Sequence, residues 1–287
     1  MSYSLNQLYG VIGISKQAVS QYDRRQRVLD QQAIELVASA EQIRKEQPGC
    51  GVEKMYDKLK PSFIGRDRFI ELMMETGFRL RRPRNGRRTT YSADRWYPNL
   101  IKGMRVRGAS QVWQSDITYI EVNGRFYYAV FIIDVYTKKI VGYEVSRTMR
   151  ATANVRALAM ALARYKAPAI HHSDRGSQYI SKEYCQLLKS NQVRISMAVK
   201  APDNAYAERI NLTIKEEYLH HWQPQSFDQL KRQMKKAVNN YNNERLHNSL
   251  GRISPHDFEN KLKLSNFKKP TIIIFDDTTF QKPVNLF

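Results

Sequence analysis

Asn123-Gly124 stands between two long, strand-prone runs, VWQSDITYIEV and RFYYAVFIIDVY. An Asn-Gly pair tolerates positive φ at both central positions of a two-residue turn, so the two runs are expected to fold back on each other as antiparallel strands. KKIVGYEVS supplies a third strand. Residues 150–164 are alanine-rich and read as a helix, and Ala169 to His172 reads as a short strand ending at Ser173-Asp174. Residues 181–190 suit a helix, Val193 to Met197 a fifth strand, and Asp203 to Tyr218 a further helix. The order β-β-β-α-β-α-β-α implies an α/β fold in which helices flank a mixed five-stranded sheet.

Before Ser110 the periodicity is helical. Leu5, Leu8, Val11 and Ile12 share one helical face, Gly13-Ile14-Ser15 breaks it, and Ser15 is suited to cap a second helix from about Lys16. This is a helix-turn-helix pattern. In its second helix Val19 and Tyr22 are expected to face inward. Lys16, Gln17, Ser20, Gln21 and Arg24 are then left exposed, with amides and a hydroxyl for base edges and cations for phosphates. Such helix pairs also serve as plain structural units. Residues 31–46 form an amphipathic helix on Ile34, Val37, Ala40 and Ile43, and GVEKMYDKLKPSFIGRDRFIELMMETGF reads as a second helix pair turning near Pro61 to Gly65. Leu72 and Met73 there read as core.

The net charge is +20, with 47 Lys and Arg against 27 Asp and Glu. A cationic excess of this size favours a polyanionic partner, because each neutralised phosphate releases condensed counterions. It is concentrated from Arg79 to Arg107, where ten basic residues accompany the single acid Asp94. Arg81, Arg82, Arg84, Arg87 and Arg88 are candidates to lie along a phosphate backbone; the alternative is a solvated tether. The longest apolar run, Phe126 to Ile133, is eight residues, far short of a membrane span. Two cysteines, Cys50 and Cys185, exclude a disulfide framework and a multi-cysteine zinc site. With no secretion-signal pattern at MSYSLNQLYG, the expected compartment is the cytoplasm. The chain divides as 1–48, a helix-turn-helix and helix; 49–82, a second helical DNA-binding segment; 83–109, the basic linker; 110–225, the α/β core; 226–260, its helical extension; and 261–287, a tail.

Three carboxylates sit where this order would gather them: Asp116 inside the first strand, Asp174 just past the fourth, and Glu208 on the helix after the fifth. Aspartate is depleted from strands and costly to bury without a partner. A bound cation resolves that cost. Oxygen ligands suit Mg²⁺ or Mn²⁺, and two ions about 3.5–4 Å apart can assist both the attacking and the leaving oxygen in phosphoryl transfer. Asp134 and Asp203 are also acidic and suit a structural network.

QSDITYI, HHSDRGSQY and DNAYAERINLTIKEEY resemble the three catalytic blocks of the DDE transposases of insertion sequence family three, in their OrfB-type form, which are relatives of retroviral integrases. FIIDVYTKKIVGYEVS and YNNERLHNSLGRISPHDF extend the resemblance, which spans roughly residues 50–260. It implies a ribonuclease H-like core in which Asp116, Asp174 and Glu208 are the catalytic, metal-binding triad. It also implies two Mg²⁺ ions, for which Mn²⁺ can substitute, with Asp116 shared between them. Lys215, seven residues after Glu208, matches a basic position that contacts DNA. The interval from Asp174 to Glu208 is two residues shorter than the family's usual one, which suggests a shortened loop around Val199 to Pro202. The implied partners are double-stranded DNA, as terminal inverted repeats and target, and further copies of the chain as a dimer or larger. The alternative function is that of an inactive DNA-binding regulator derived from such an enzyme.

His171 and His172 read as structural or supporting residues, and Ser173 and Ser177 lack a dedicated base. From Ser226, a capping box with Gln229 opens a helix carrying Leu230, Met234, Val238 and Tyr241 on one stripe, which suits the core or another protomer. Its Lys231, Arg232, Lys235 and Lys236 suit either DNA or solvent. The tail from Lys261, including TIIIFDD, has no counterpart in the resemblance.

Overall fold

The computed structural model describes residues 5–80, 96–264, 267 and 270–274. Arg81, Arg82, Arg84, Arg87 and Arg88 lie outside the described residues. The chain divides into two compact units, one formed by Met1–Glu46 with Cys50–Arg81 and the other by Gln47–Gly49 with Arg82–Phe287.

In the first unit α1 spans Leu5–Ile12, α2 Lys16–Glu46, α3 Val52–Leu59 and α4 Arg66–Glu75. Ser15 caps α2 as expected, its Oγ accepting from Ala18 N at 3.1 Å. The helix expected to end before residue 31 instead runs on for 31 residues. No Gly or Pro interrupts QYDRRQRVLDQQ, so nothing there stops the helix. Only the far end of α2 reaches a core: Leu36 and Ala40 are buried with Val52, Met55, Phe69 and Met73 of α3 and α4. Tyr22, expected inward, is exposed, as are Leu8, Val11 and Ile12 of α1.

The second unit holds β1 (Arg105–Val106), β2 (Val112–Val122), β3 (Arg125–Asp134), β4 (Ile140–Ser146), α5 (Ala151–Arg164), β5 (Ile170–Ser173), α6 (Lys182–Ser190), β6 (Arg194–Met197) and α7 (Ala205–Ile214). A π-helical turn, Lys215–Leu219, continues α7 into α8 (His220–Trp222); α9 (Phe227–Asn243), α10 (Pro255–Lys261) and β7 (Ile272–Ile273) follow. The main sheet has the order β4-β3-β2-β5-β6. β2, β3 and β4 are antiparallel neighbours, and β5 and β6 join in parallel. Asn123 and Gly124 both adopt positive φ, and Val122 faces Arg125 across the turn.

Alternation along β3 sends Phe131 and Ile133 to one face and Val130 and Ile132 to the other. The first face is covered by α7 and α9, including Leu230, Met234, Val238 and Tyr241, which places that stripe in the core. The second is covered by α5 and α6. At Gly142 on β4 a Cβ would lie 2.3 Å from the Ala157 carbonyl oxygen, so the close seat of α5 requires glycine. Ser226 caps α9 by accepting from Gln229 N at 3.2 Å, but the Gln229 side chain accepts from Gln225 N rather than closing a box on Ser226. Ile101 and Val106, within the segment read as linker, are buried in a small core with Ile274 of the tail. There β1 pairs with β7, so part of TIIIFDD finishes a two-stranded sheet.

Candidate active site

β2 is the central strand, and its even-numbered residues point toward α7. Asp116 pairs in register with Phe131 on β3, and Ser115 pairs with Ser173 on β5, which brings Asp174 beside Asp116 at the end of that shorter strand. Asp174 Oδ1 accepts from Gly176 N at 3.0 Å. Glu208 stands exposed on the first turn of α7.

The three carboxyl groups act on one another electrostatically. The Asp116 carboxyl is pushed up to about 8, chiefly by burial, then by the charges of Asp174 and Glu208. A hydrogen bond from Asn211 opposes the rise. Burial also raises Asp174, and Glu208 is raised by burial and then by Asp174. Lys215 is lowered by burial while the charge of Asp116 favours its ammonium form. Among the described residues no group of three or more His, Cys, Asp or Glu side chains is gathered tightly enough to hold one ion. The three acids interact pairwise, Asp116 with both others and Asp174 with Glu208.

Several supporting residues escaped the sequence reading. Asn211 Nδ2 donates to Asp116 Oδ2 at 2.7 Å. It lies three residues after Glu208 and four before Lys215, a spacing that puts all three on one helix face. Gln114, fully buried one pleat before Asp116, reaches the start of α7. Its Nε2 donates to the Asp203 carbonyl at 3.2 Å, and its Oε1 accepts from Tyr206 N at 3.1 Å and more weakly from Ala207 N. Asn204 Nδ2 returns a bond to Ser115 O at 3.1 Å. The strand bearing Asp116 therefore caps the helix bearing Glu208, satisfying backbone N–H groups that the first helical turn leaves without partners. A buried Gln on the Asp116 face of a strand was the available signal.

Other acids have structural duties. Asp134 accepts from Ser110 N, Tyr136 N and Thr137 N at 2.6, 2.9 and 2.8 Å. Asp203 accepts from Val199 N and Lys200 N at 2.8 and 3.0 Å, closing the loop before α7. Glu217 is gripped by Arg245 through two 2.6 Å contacts, whereas Glu208 feels the charge of Asp174. His171 bonds the Tyr184 hydroxyl and His172 the Ser196 hydroxyl, at 2.9 and 2.8 Å. Burial lowers the two rings to about 3 and about 4, so both are neutral supports. Lys16, Gln17, Ser20, Gln21 and Arg24 are all exposed on α2.

The sheet order and the carboxylates on its middle strands define a ribonuclease H-like α/β core. Two family models described as Integrase core domain match residues 107–201 and 191–255. The chain is 36% identical over 206 residues to an uncharacterized 31 kDa protein of insertion element IS600 from Shigella sonnei, covering 69% of this chain and 76% of that one. It is 35% identical over 159 residues to transposase InsF of IS3A from Escherichia coli K12, and 38% identical over 152 residues to the IS629 transposase of Shigella sonnei. It spans about half the length of those two transposases, 55% and 51%. Its fold is similar to a chain of the simian T-cell lymphotropic virus intasome, solved with PP2A regulatory subunit B56 gamma, at a TM-score of 0.51 and 14% identity, covering 77% of this chain and 74% of that one. The chain belongs to the integrase-core transposases of insertion sequence family three. Among the described residues no helix is long and apolar enough to cross a membrane.

Proposed function

We propose that this transposase binds the ends of an insertion sequence as double-stranded DNA, cuts a strand there and joins the freed end to target DNA. The observation that carries this reading is the convergence of Asp116, Asp174 and Glu208, with Asp116 raised to about 8 by burial and by the other two charges. Such repulsion is a standing demand for positive charge. All-oxygen donors suit Mg²⁺ or Mn²⁺, and the pairwise charge interactions suit two ions, toward which Asp116 would serve both sites, Asp174 one and Glu208 the other. When bound, the ions supply Lewis acidity to the attacking and leaving oxygens of a phosphodiester.

The chain's own groups have distinct parts. Asn211 fixes the orientation of Asp116, and Gln114 holds α7 so that Glu208 stays opposite Asp174. Lys215 offers an ammonium to a phosphate beside the reacting bond. Water is the first nucleophile and the released 3′-hydroxyl the second, so no side chain becomes covalently attached to DNA. Lys16, Gln17, Ser20, Gln21 and Arg24 offer base and phosphate contacts from α2, with Arg81, Arg82, Arg84, Arg87 and Arg88 along the backbone. Paired ends require at least two protomers.

Cleavage of a labelled duplex carrying the element's terminal repeat, in Mg²⁺, tests the reading. Cutting and joining by the wild type with neither by Asp174→Asn supports it; binding without any cleavage by the wild type would reduce the protein to a DNA-binding regulator.

A further inference from the structure

Two adjacent aromatic residues ahead of β1 have different surroundings. Tyr97 packs against the core beneath α5 and α6, and its hydroxyl reaches Cys185 Sγ at 3.8 Å. Trp96 is 57% exposed. Its place is nonetheless held, because the chain just after it is tied to β6. Pro98 O accepts from Met197 N at 3.4 Å, and Leu100 N donates to Ser196 Oγ at 2.9 Å. A single exposed aromatic residue is ordinary on its own; this one walls a cleft.

The cleft has a volume of about 1020 Å³, and its opposite side is α6, which lines it with Lys182, Gln186 and Lys189. Spacings of four and then three residues put these three side chains on one helix face. Glu183, the acid of α6, is not part of the lining. Arg175 Cζ lies over the Trp96 ring at 4.6 Å from its centroid, and Arg175 Nε is buried with no hydrogen-bond partner among the described residues. Arg175 directly follows Asp174, so the indole stands one contact away from the candidate active site.

A flat ring flanked by cations is complementary to one form of DNA in particular. Inside a duplex both faces of a base are covered by its neighbours, whereas an unpaired nucleotide offers a free face to an aromatic ring while its phosphates meet cations. We propose that the cleft between Trp96 and α6 binds an unpaired nucleotide of single-stranded DNA, its base stacked on Trp96 and the adjoining phosphates set against Lys182 and Lys189. The part this plays in the reaction rests on the strand-transfer reading. A strand opened beside Asp174 has lost base stacking, and an aromatic platform there offsets some of that cost.

The full-length chain without metal, titrated with an oligothymidylate about twelve nucleotides long, tests the cleft. Binding should quench tryptophan fluorescence, since Trp96 is exposed while Trp113 is buried and Trp222 half-buried. Trp96→Ala should weaken the complex by about tenfold or more and remove most of the quenching, and Trp96→Phe, which keeps a ring, should fall between the two. Lys182→Ala and Lys189→Ala, at exposed positions, should each lower the slope of log affinity against log salt by about 0.7 unit. A blunt duplex of the same length should bind wild type and Trp96→Ala alike. Equal oligothymidylate affinity in wild type and Trp96→Ala, an equal loss for the duplex, or unchanged salt slopes in both lysine variants would overturn the proposal. Normal oligothymidylate binding with lost self-association in Trp96→Ala would assign the indole to a protein contact instead. Because neither metal nor cleavage enters the measurement, the cleft can fail while Mg²⁺-dependent cleavage by the wild type stands, and the reverse.

Discussion

Asn211 donates its amide to Asp116 Oδ2 at 2.7 Å, tying the helix of Glu208 to the strand that carries the raised carboxyl of Asp116. That bond favours the charged form of Asp116, so its loss raises the carboxyl further and makes a cation harder to hold. Asn211→Leu should raise the Mg²⁺ concentration for half-maximal cleavage by about tenfold, as loss of a ligand-orienting partner generally does. DNA affinity measured without metal should not change. Equal Mg²⁺ dependence in the two proteins would remove Asn211 from the site.

Gln114 caps α7 from the neighbouring strand. Gln114→Met keeps the volume but leaves the Tyr206 N–H without its acceptor, at a cost of about 1–3 kcal/mol. The expected outcome is a lower melting temperature together with cleavage reduced more than DNA binding. An unchanged melting temperature would mean that the helix start is held by Asn204 and Asp203 alone.

In the metal-free protein Asp116 gives stability a falling slope between about pH 4 and about pH 8, opposed below about pH 6.5 by His171 and His172, which stay neutral in the folded chain. A carboxyl raised from an ordinary unfolded value to about 8 binds its proton more tightly in the folded state, so folding is favoured while it stays protonated and less favoured once it ionises. Asp116→Asn should flatten that slope and stabilise the apo protein above pH 8 by at least about 1 kcal/mol. Thermal melts in chelator across this range make the comparison. A slope identical in wild type and variant would place the titration elsewhere.

Lys215 lies near Asp116 at the start of the π-helical turn. Lys215→Ala should weaken binding to element-end DNA and lower the slope of log affinity against log salt by about one unit. An unchanged slope would make Lys215 a counter-charge to Asp116 and no more.

The hairpin was legible because its signal is local, Asn-Gly fixing a turn, whereas Asp116, Asp174 and Glu208 were singled out by the order of the elements and by the resemblance of their motif blocks. The capping of α7 by Gln114 was not legible, since its partners lie 89 to 93 positions away along the chain. The continuity of α2 was misread for a different reason. The apolar stripe of residues 31–46 was read as a helix of its own, yet the residues between Asp23 and Asp30 are mostly good helix formers and contain no breaker. TIIIFDD gave no functional hint, and its strand partner, Arg105–Val106, is a two-residue segment far upstream.

Strand cleavage by Glu208→Gln tests the central claim most directly, because the interval to Asp174 departs from the family spacing at this residue. The substitution preserves size and removes a charged oxygen donor. In Mg²⁺, with duplex DNA carrying the terminal repeat, the variant should bind as the wild type does and show no detectable cleavage or joining. Cleavage near the wild-type rate would contradict the account, since Asp116 and Asp174 would then act without the carboxylate that faces them.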